Sequence, residues 1–395
     1  MTSPTTPTAP LQMPKAQLQR LIILLEEQGY TVLGPTVQDA AIVYAQIHSL
    51  SDLPRGYSDT QQPGQYRVAP AGHDNYFEFN LGPHSWKQFL FPPRLTVATA
   101  HREGQEWTFE TPQVEQPKFA FLGVRACELA AIAVQDRVFL QGPFVDATYQ
   151  ARRDAALIVA VNCTVAAATC FCTSMQTGPQ CRQGFDLALT ELDDRFVIEV
   201  GSPRGAELVE QLRPCLASAT DIQQSEAKQR RAAEQISKKM DTDDIRNLLL
   251  GNLDHPQWDD VANRCLGCTN CTMVCPTCFC SSVSEVSDLD GEHVERQRQW
   301  DSCFNIDFSY TAGGTVRNDR RSRFRQWLTH KLASWHDQFD SSGCVGCGRC
   351  ITWCPVGIDL TAEVAALRES PAAKRLLPIA EPPKTACILP REVPQ

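Results

Sequence analysis

The sequence contains no long hydrophobic run and no pattern typical of an export signal. Its longest apolar runs, such as 21–25 and 155–161, are far shorter than the roughly 18 residues that a membrane-spanning helix needs. The N-terminal segment MTSPTTPTAPLQMPK has no basic region followed by an apolar one, which a secretory signal would have. We therefore expect neither a membrane span nor secretion.

Several signatures of substrate chemistry are also missing. There is no GxGxxG dinucleotide loop, no phosphate-binding loop, and no residue order typical of a Ser–His–Asp triad or a carboxylate pair. The formal net charge of −9 argues against general nucleic-acid binding, which needs a basic surface. We assign no catalytic residue, and we expect proteins or small molecules as partners.

Cysteine, in contrast, is abundant. The chain of 395 residues contains 18 cysteines. Without an export signal these thiols are expected in a reducing cytoplasm, where cysteine-rich patterns indicate metal or redox chemistry rather than disulfides. We therefore predict a cytoplasmic protein.

The pattern of elements predicts an α+β protein, in which an N-terminal α/β domain precedes a helical dicluster ferredoxin-type domain. Buried strands are expected at FAFLGV and ALIVAV, a helix at ACELAAIAVQDRVFL, and a hairpin across Asp193 and Asp194. The predicted organisation is a disordered leader (1–14), the α/β domain (15–215), a helical connector (216–255), the dicluster domain (256–368) and a mobile tail (369–395).

The strongest signal is a repeated cysteine motif. CLGCTNCTMVCP (265–276) and CVGCGRCITWCP (344–355) both fit C-x2-C-x2-C-x3-C-P. In two-cluster ferredoxins the first three cysteines of such a motif ligate one [4Fe–4S] cluster and the fourth ligates the other. The predicted ligands are therefore Cys265, Cys268, Cys271 and Cys354 for cluster A, and Cys344, Cys347, Cys350 and Cys275 for cluster B.

Zinc sites are the alternative to this interpretation. A zinc ribbon would use only two cysteines of each motif, and it would leave the other two cysteines and the proline unexplained. Three further cysteines of the same region, Cys278, Cys280 and Cys303, are more typical of packed free thiols than of additional ligands.

A second cysteine set lies in the N-terminal domain, at the predicted ends of buried strands. Because strand ends meet at one edge of a sheet, these thiols could hold a third cluster. Buried packing of the same residues is the alternative. The set consists of Cys127, Cys163, Cys170 and Cys172, while Cys181, Cys215 and Cys387 are expected to be free thiols.

These motifs together resemble one protein family over residues 15–368. GVRACELAAIAVQDRVF, VNC, CFCTSMQTGP, FDLALTEL, LDHPQWDDVANRCLGCTNCTMVCPTCFC, RQWDSCF and GCVGCGRCITWCPVGIDL occur in the order found in that family. It contains the iron–sulfur beta subunit of cytoplasmic nickel–iron hydrogenases of the sulfhydrogenase type, and the corresponding iron–sulfur subunit of anaerobic sulfite reductase. The chain departs from the family at Ala126, where a proline is common.

The resemblance implies an electron relay. A flavin subunit would exchange hydride with NAD(P)H, and the clusters would pass single electrons to a catalytic hydrogenase subunit. The iron–sulfur subunit of anaerobic sulfite reductase is the alternative within the family. An autonomous iron–sulfur enzyme that uses an N-terminal cluster is the alternative from another class.

Overall fold

The strands of this protein are short and occur along most of the chain. The computed structural model describes residues 9–370 and residue 372. Within that part the strands, numbered along the chain, are β1 (Leu11–Pro14), β2 (Thr31–Gln38), β3 (Ala41–Gln46), β4 (Tyr57–Gln62), β5 (Gln65–Pro70), β6 (Arg94–Glu103), β7 (Glu106–Glu110), β8 (Phe119–Val124), β9 (Leu157–Val161), β10 (Leu187–Glu191), β11 (Arg195–Val200), β12 (Cys215–Leu216), β13 (Ser281–Ser287), β14 (His293–Trp300), β15 (Tyr310–Thr311) and β16 (Gly314–Thr315).

The helices are concentrated on the faces of the main sheet and around the cysteine motifs. The α-helices of the described residues are α1 (Leu18–Glu27), α2 (Lys87–Leu90), α3 (Ala126–Leu140), α4 (Ala147–Ala155), α5 (Pro203–Leu212), α6 (Ala219–Gln235), α7 (Ile245–Gly251), α8 (Gln257–Arg264), α9 (Asn270–Met273), α10 (Arg320–Thr329), α11 (Trp335–Phe339), α12 (Arg349–Thr352) and α13 (Leu360–Glu369). A π-helical turn, His330–Ser334, joins α10 to α11. None of the helices in residues 9–370 has the length and apolar character of a membrane span.

An eight-stranded sheet organises the N-terminal half. Its strand order is β12-β1-β11-β10-β9-β8-β2-β3. The four central strands, β10, β9, β8 and β2, run parallel, and antiparallel strands flank them on both sides. The carboxyl ends of the central strands therefore lie at one edge of the sheet, where their following loops meet.

Helices cover both faces of this sheet. In β9, Leu157, Val159 and Val161 pack with α1 and α5, whereas Ile158 and Ala160 pack on the opposite face with α3 and α4. Because both faces are buried, the central strands are continuously apolar rather than alternating. The predicted strands at 119–124 and 157–161, the helix at 126–140 and the β10–β11 hairpin are confirmed.

A second sheet joins the two halves of the chain. Its order is β13-β14-β6-β7, so a hairpin from the N-terminal half pairs with a hairpin from between the cysteine motifs. The junction is antiparallel, from His293 opposite His101 to Gln299 opposite Arg94. The two halves are thus connected by backbone hydrogen bonds as well as by side-chain packing.

Two predictions about the fold need correction. The last part of the predicted disordered leader, Leu11–Pro14, is strand β1, because Leu11 and Met13 bury their side chains in the core of the main sheet. The predicted dicluster region is not wholly helical, since 281–300 form β13 and β14. Residues 1–8 of the leader and most of the predicted tail lie outside the described residues, and the mixed helix and sheet class is confirmed.

Candidate functional site

The two cysteine motifs have the same backbone conformation. In the first motif Gly267 and Thr269 have positive φ angles of 68° and 69°, and in the second Gly346 and Gly348 have 66° and 75°. A one-turn helix then follows, α9 in the first motif and α12 in the second, and it contains the third cysteine of its motif. Backbone that alternates between right- and left-handed conformations turns its N–H groups toward a common centre, which suits an anionic cluster.

The first motif closes around a cavity that we name cavity A, which has about 460 Å³ of empty space. Three of its thiols come from the first motif, and two, Cys350 and Cys354, come from the second. Apolar side chains, among them Phe304, Phe324 and Trp327, form much of the remaining wall. The cysteines that line cavity A include the predicted set Cys265, Cys268, Cys271 and Cys354.

The second motif closes around cavity B, which has about 290 Å³ of empty space. Here the fourth thiol comes from the first motif, as the crossover pattern predicts. Phe171, Thr277 and Lys331 also line this cavity. The cysteines around cavity B are the predicted set Cys344, Cys347, Cys350 and Cys275.

The N-terminal cysteine set surrounds a third cavity, the N-terminal cavity, with about 470 Å³ of empty space. Cys127 lies at the start of α3, directly after β8, and Cys163 lies just after β9. Because β8 and β9 are parallel neighbours, their carboxyl ends bring these two thiols to the same edge of the sheet. The loop after β9 adds Cys170 and Cys172 to the wall.

The three cavities lie in a row and share walls. Cys350 lines both cavity A and cavity B. Cys347 lines both cavity B and the N-terminal cavity. Cavity B is therefore the middle of the row, and each outer cavity touches it through a single cysteine.

Close backbone contact holds the second motif against the N-terminal thiol loop. A Cβ atom on Gly346 would lie 2.7 Å from the Cα of Cys172, and one on Gly348 would lie 2.4 Å from the carbonyl oxygen of Thr169. The Phe171 N–H donates to the Gly346 carbonyl over 2.9 Å. Glycine is thus required at both motif positions by its left-handed conformation and by the lack of space.

The thiols are not arranged as a site for a single ion. Among residues 9–370, no group of three or more His, Cys, Asp or Glu side chains is positioned to hold one metal ion. A tetrahedral zinc site with Zn–S bonds of about 2.3 Å would need its sulfurs about 3.8 Å apart. Each cysteine set instead lines a small cavity, which favours clusters over zinc.

Burial controls the protonation of most of these thiols. It raises the pKa of Cys127 and Cys170 well above the ordinary value, with neighbouring cysteines adding to the rise. Burial likewise raises the pKa of Cys172 and of Cys344 to about 12. The metal-free thiols are therefore protonated at neutral pH, and metal binding must release their protons.

Cys275 differs from the other thiols because hydrogen-bond donors surround it. The Cys278 thiol donates to its sulfur, and together with the Lys331 ammonium it holds the pKa of Cys275 well below the ordinary value. Burial alone would lower the pKa of Lys331, but the sulfurs of Cys275 and Cys278 raise it well above its usual range. Lys331 and Cys275 thus stabilise each other's charged form at cavity B.

Lys331 is fixed by three hydrogen bonds inside the protein. Its ammonium donates to Thr277 Oγ1 over 2.8 Å, to the Gly343 carbonyl over 3.0 Å and to Cys275 Sγ over 3.3 Å. The Gly343 N–H in turn donates to the Lys331 carbonyl over 2.8 Å. This reciprocal pair attaches the lysine to the segment that leads into the second motif.

A second buried cation, Arg349, lies beside Cys347, the cysteine common to cavity B and the N-terminal cavity. Arg349 and Glu128 form an ion pair of 2.6 Å, and each side chain is only 1% exposed. Arg349 also donates to the carbonyls of Gly82 and His84. The charge of the guanidinium and its hydrogen bond to the Cys347 thiol oppose the effect of burial on the pKa of Cys347.

The remaining cysteines are placed as follows. Cys278 contacts Cys275, and Cys280 forms a hydrogen-bonded pair with Cys303, which lowers the pKa of Cys280 to about 7. Cys181 is buried and Cys215 is exposed. These cysteines do not line cavity A, cavity B or the N-terminal cavity, and Cys387 lies outside the described residues.

Reasoning from sequence missed the charged residues of the site. Lys331 lies outside both motifs, and no spacing rule connects it to Cys275. Glu128 and Arg349 occur in GVRACE and CGRC, which are parts of recognised segments, but nothing in either segment indicates that they pair. The signal that could have drawn attention to Glu128 is a carboxylate within the apolar first turns of a helix, which needs a buried partner.

Comparisons with known proteins agree with this geometry. Residues 264–358 match the 4Fe-4S dicluster domain family, which supports two [4Fe–4S] clusters in this segment. The chain is 29% identical to Sulfhydrogenase 2 subunit beta of Pyrococcus furiosus over 349 residues, which cover 87% of this chain and 94% of that relative. No solved structure matches the chain. The resemblance to the hydrogenase beta subunit is thus confirmed.

Proposed function

We propose that this chain is the electron-transfer subunit of a multi-subunit oxidoreductase and that it holds two [4Fe–4S] clusters in cavities A and B. The observation that carries the proposal is the exchange of the fourth cysteine between the motifs. Cys354 reaches cavity A from the second motif, and Cys275 reaches cavity B from the first. Adjoining clusters are the arrangement for which this motif pair is used in ferredoxins.

Each part of the site has a role in this function. When bound, [4Fe–4S] clusters carry single electrons, and their reduction potentials depend on net charge, hydrogen bonds to sulfur and burial. The cysteine thiolates hold the iron, and Phe304, Phe324 and Trp327 exclude water from cavity A. Lys331 supplies positive charge at cavity B and Arg349 supplies it beside Cys347, where buried thiolates would otherwise repel one another.

A third cluster in the N-terminal cavity is part of the proposal. Cys127, Cys163, Cys170 and Cys172 line a cavity as large as cavity A. Arg125, only 2% exposed, also lines it and provides a cation beside the Cys163 thiol. Since Cys347 is a wall of both this cavity and cavity B, a third cluster would extend the same row.

The similarity to a hydrogenase beta subunit indicates the partners that we propose. One is a flavin subunit that reacts with NAD(P)H, and the other is a catalytic nickel–iron hydrogenase subunit. Purification of the full-length chain from its own organism tests this point. Copurification of a nickel–iron subunit is expected, whereas a siroheme-binding subunit would identify a sulfite reductase complex instead.

Iron and acid-labile sulfide analysis after anaerobic purification tests the cluster assignment. With three clusters we expect about twelve iron per chain, since each holds four. Cys170→Ala should lower this to about eight, and Cys268→Ala should remove a cluster from the dicluster segment. Cys215→Ala is the matched control, because this exposed thiol lies away from the cavities, and it should leave the iron content unchanged.

Other iron contents would overturn parts of the proposal. About eight iron per chain, unaffected by Cys170→Ala, would make the N-terminal set structural. Zinc with no iron would refute the electron-transfer function altogether.

A second candidate function is an autonomous iron–sulfur enzyme. The observation that favours it is an open polar cleft with about 1220 Å³ of empty space, whose lining includes Gln176, Arg182 and Gln229. Gly178 and Pro179 form a wall common to this cleft and the N-terminal cavity. Reduction of a small-molecule acceptor by the isolated chain with a low-potential dye would favour this candidate, and redox titration without turnover would exclude it.

A further inference from the structure

Cavities A and B differ in the charge that surrounds them. Among the residues that line cavity A there is no lysine or arginine. The nearby Arg320 is exposed and donates to the backbone carbonyl of Cys265, so water screens its charge. Lys331, in contrast, lines cavity B, is 5% exposed and donates directly to the sulfur of Cys275.

The charge of Lys331 is also not balanced by a carboxylate. Arg349, a buried cation beside Cys347, is in contrast paired with Glu128 over 2.6 Å. The hydrogen-bond partners of Lys331 within the described residues are two neutral oxygens and one sulfur. Apart from the cysteine sulfurs themselves, none of these partners is negatively charged, and the charge of Lys331 acts on cavity B at short range in a water-poor interior.

The local backbone is built to place this lysine. Lys331 lies in the π-helical turn His330–Ser334, and turns of this kind in an otherwise α-helical segment are frequent at functional sites. The turn also lets the Lys331 carbonyl accept the Gly343 N–H while its ammonium donates back to the Gly343 carbonyl. The ammonium is therefore held in one position rather than moving with a flexible stem.

We propose that Lys331 sets the order of reduction of cavities A and B, so that of these two the first electron resides in cavity B and not in cavity A. This inference rests on the proposed clusters in those two cavities. Added negative charge is more stable beside a fixed, unbalanced cation than in an apolar cavity without one. Each electron comes from an external one-electron reductant, and no bond is made or broken.

Redox titration of the iron-loaded chain, monitored by electron paramagnetic resonance, tests the role of Lys331. Lys331→Met removes the charge and keeps the length of the side chain. We expect the equilibrium constant for adding the first electron to fall by about ten- to a hundredfold, which is about 59 to 118 mV for one electron. Lys331→Arg retains the charge and should recover most of this loss.

The matched control is Arg320→Met, which removes a cation near cavity A that is exposed. This variant should change the equilibrium constant for adding the first electron less than threefold, because water screens the charge of Arg320. Equal shifts of the first reduction potential in Lys331→Met and Arg320→Met would overturn the proposal. A first reduction potential in Lys331→Met equal to that of the unmodified chain, at full iron content, would also overturn it.

A second measurement does not depend on the stability of a Lys331 variant. Cys268→Ser changes a predicted ligand of cavity A and should alter the spectrum of that cluster alone. In a Cys170→Ala background, which removes the proposed third cluster, the signal that appears first during reduction should keep its shape in this variant, because it belongs to cavity B. A first signal that changes shape would place the first electron in cavity A and refute the inference, whereas a chain without iron would refute the proposed function itself.

Discussion

Glu128 offers the sharpest test of how the two halves of this protein hold together. Its carboxylate accepts hydrogen bonds from Tyr44 Oη over 2.8 Å, from Trp86 Nε1 over 2.9 Å and from Arg349 Nη2 over 2.6 Å. Arg349 belongs to the second cysteine motif, whereas the other three residues belong to the N-terminal half. Glu128→Gln keeps the shape of the side chain but leaves the buried guanidinium without a counter-charge.

The expected effect is large. Breaking a buried ion pair by neutralising one partner typically costs about 3 to 5 kcal/mol, because the other charge remains desolvated and unpaired. For a cooperative unit of about 200 residues, such a loss lowers Tm by about 6 to 20 °C. The control is Glu27→Gln, which breaks the ion pair with Arg20 at the surface, where both side chains are about half exposed. Surface pairs contribute at most about 1 kcal/mol.

Thermal unfolding of the iron-loaded chain, followed by circular dichroism and by the visible absorbance of the clusters, measures both variants. The double variant Glu128→Gln/Arg349→Met should recover part of the lost stability, since it removes the unpaired charge as well. A Tm shift for Glu128→Gln no larger than that for Glu27→Gln would refute the assignment of this pair as a main contact between the halves.

Two further predictions concern the glycines and the thiols. Gly348→Ala should lower the free energy of unfolding by about 2 to 4 kcal/mol, because it combines a left-handed alanine with a backbone clash. The control is Gly291→Ala, which has the same φ range and no atom within 4 Å and should cost about 1 kcal/mol. Equal Tm shifts in the two variants would contradict this reasoning. The iron-stripped chain should lose stability as the pH rises above about 8.5, since unfolded thiols then ionise while folded Cys172 and Cys344 keep their protons up to pKa values of about 12. Urea unfolding from pH 7 to 10 measures this loss. The iron-loaded chain is the control, because its metal-bound thiolates do not titrate. A free energy of unfolding that does not change with pH in the iron-stripped chain would contradict the prediction.

The sequence predicted the membership of the cysteine sets well, because ligand spacing is a local property. The crossover rule assigned Cys354 of the second motif to cavity A and Cys275 of the first motif to cavity B, and each cysteine lines the cavity to which it was assigned. The N-terminal set was inferred from strand ends, and parallel pairing of β8 with β9 brings Cys127 and Cys163 together. The roles of all these cysteines as cluster ligands stay predictions.

Features that depend on distant contacts could not be predicted in the same way. The position of Lys331 depends on a π-helical turn and on Gly343, which no motif indicates. Strand β1 was overlooked because prolines around it are typical of an irregular leader, although the spacing of Leu11 and Met13 fits one face of a strand. Strands β13 and β14 pair with β6, which lies far away in the sequence.

The pairing of β6 with β14 has a consequence for how the chain reaches its native state. During synthesis β6 and β7 emerge long before β14, so their hairpin must remain with an unpaired edge until residues 293–300 have left the ribosome. Nascent chains that stall before this point would expose an edge strand prone to aggregation. For the same reason a fragment limited to 256–368 would lack β6, one of the two strands that pair with β14. The cysteine-rich segment is therefore not a unit that can be transferred by cutting at its sequence boundaries.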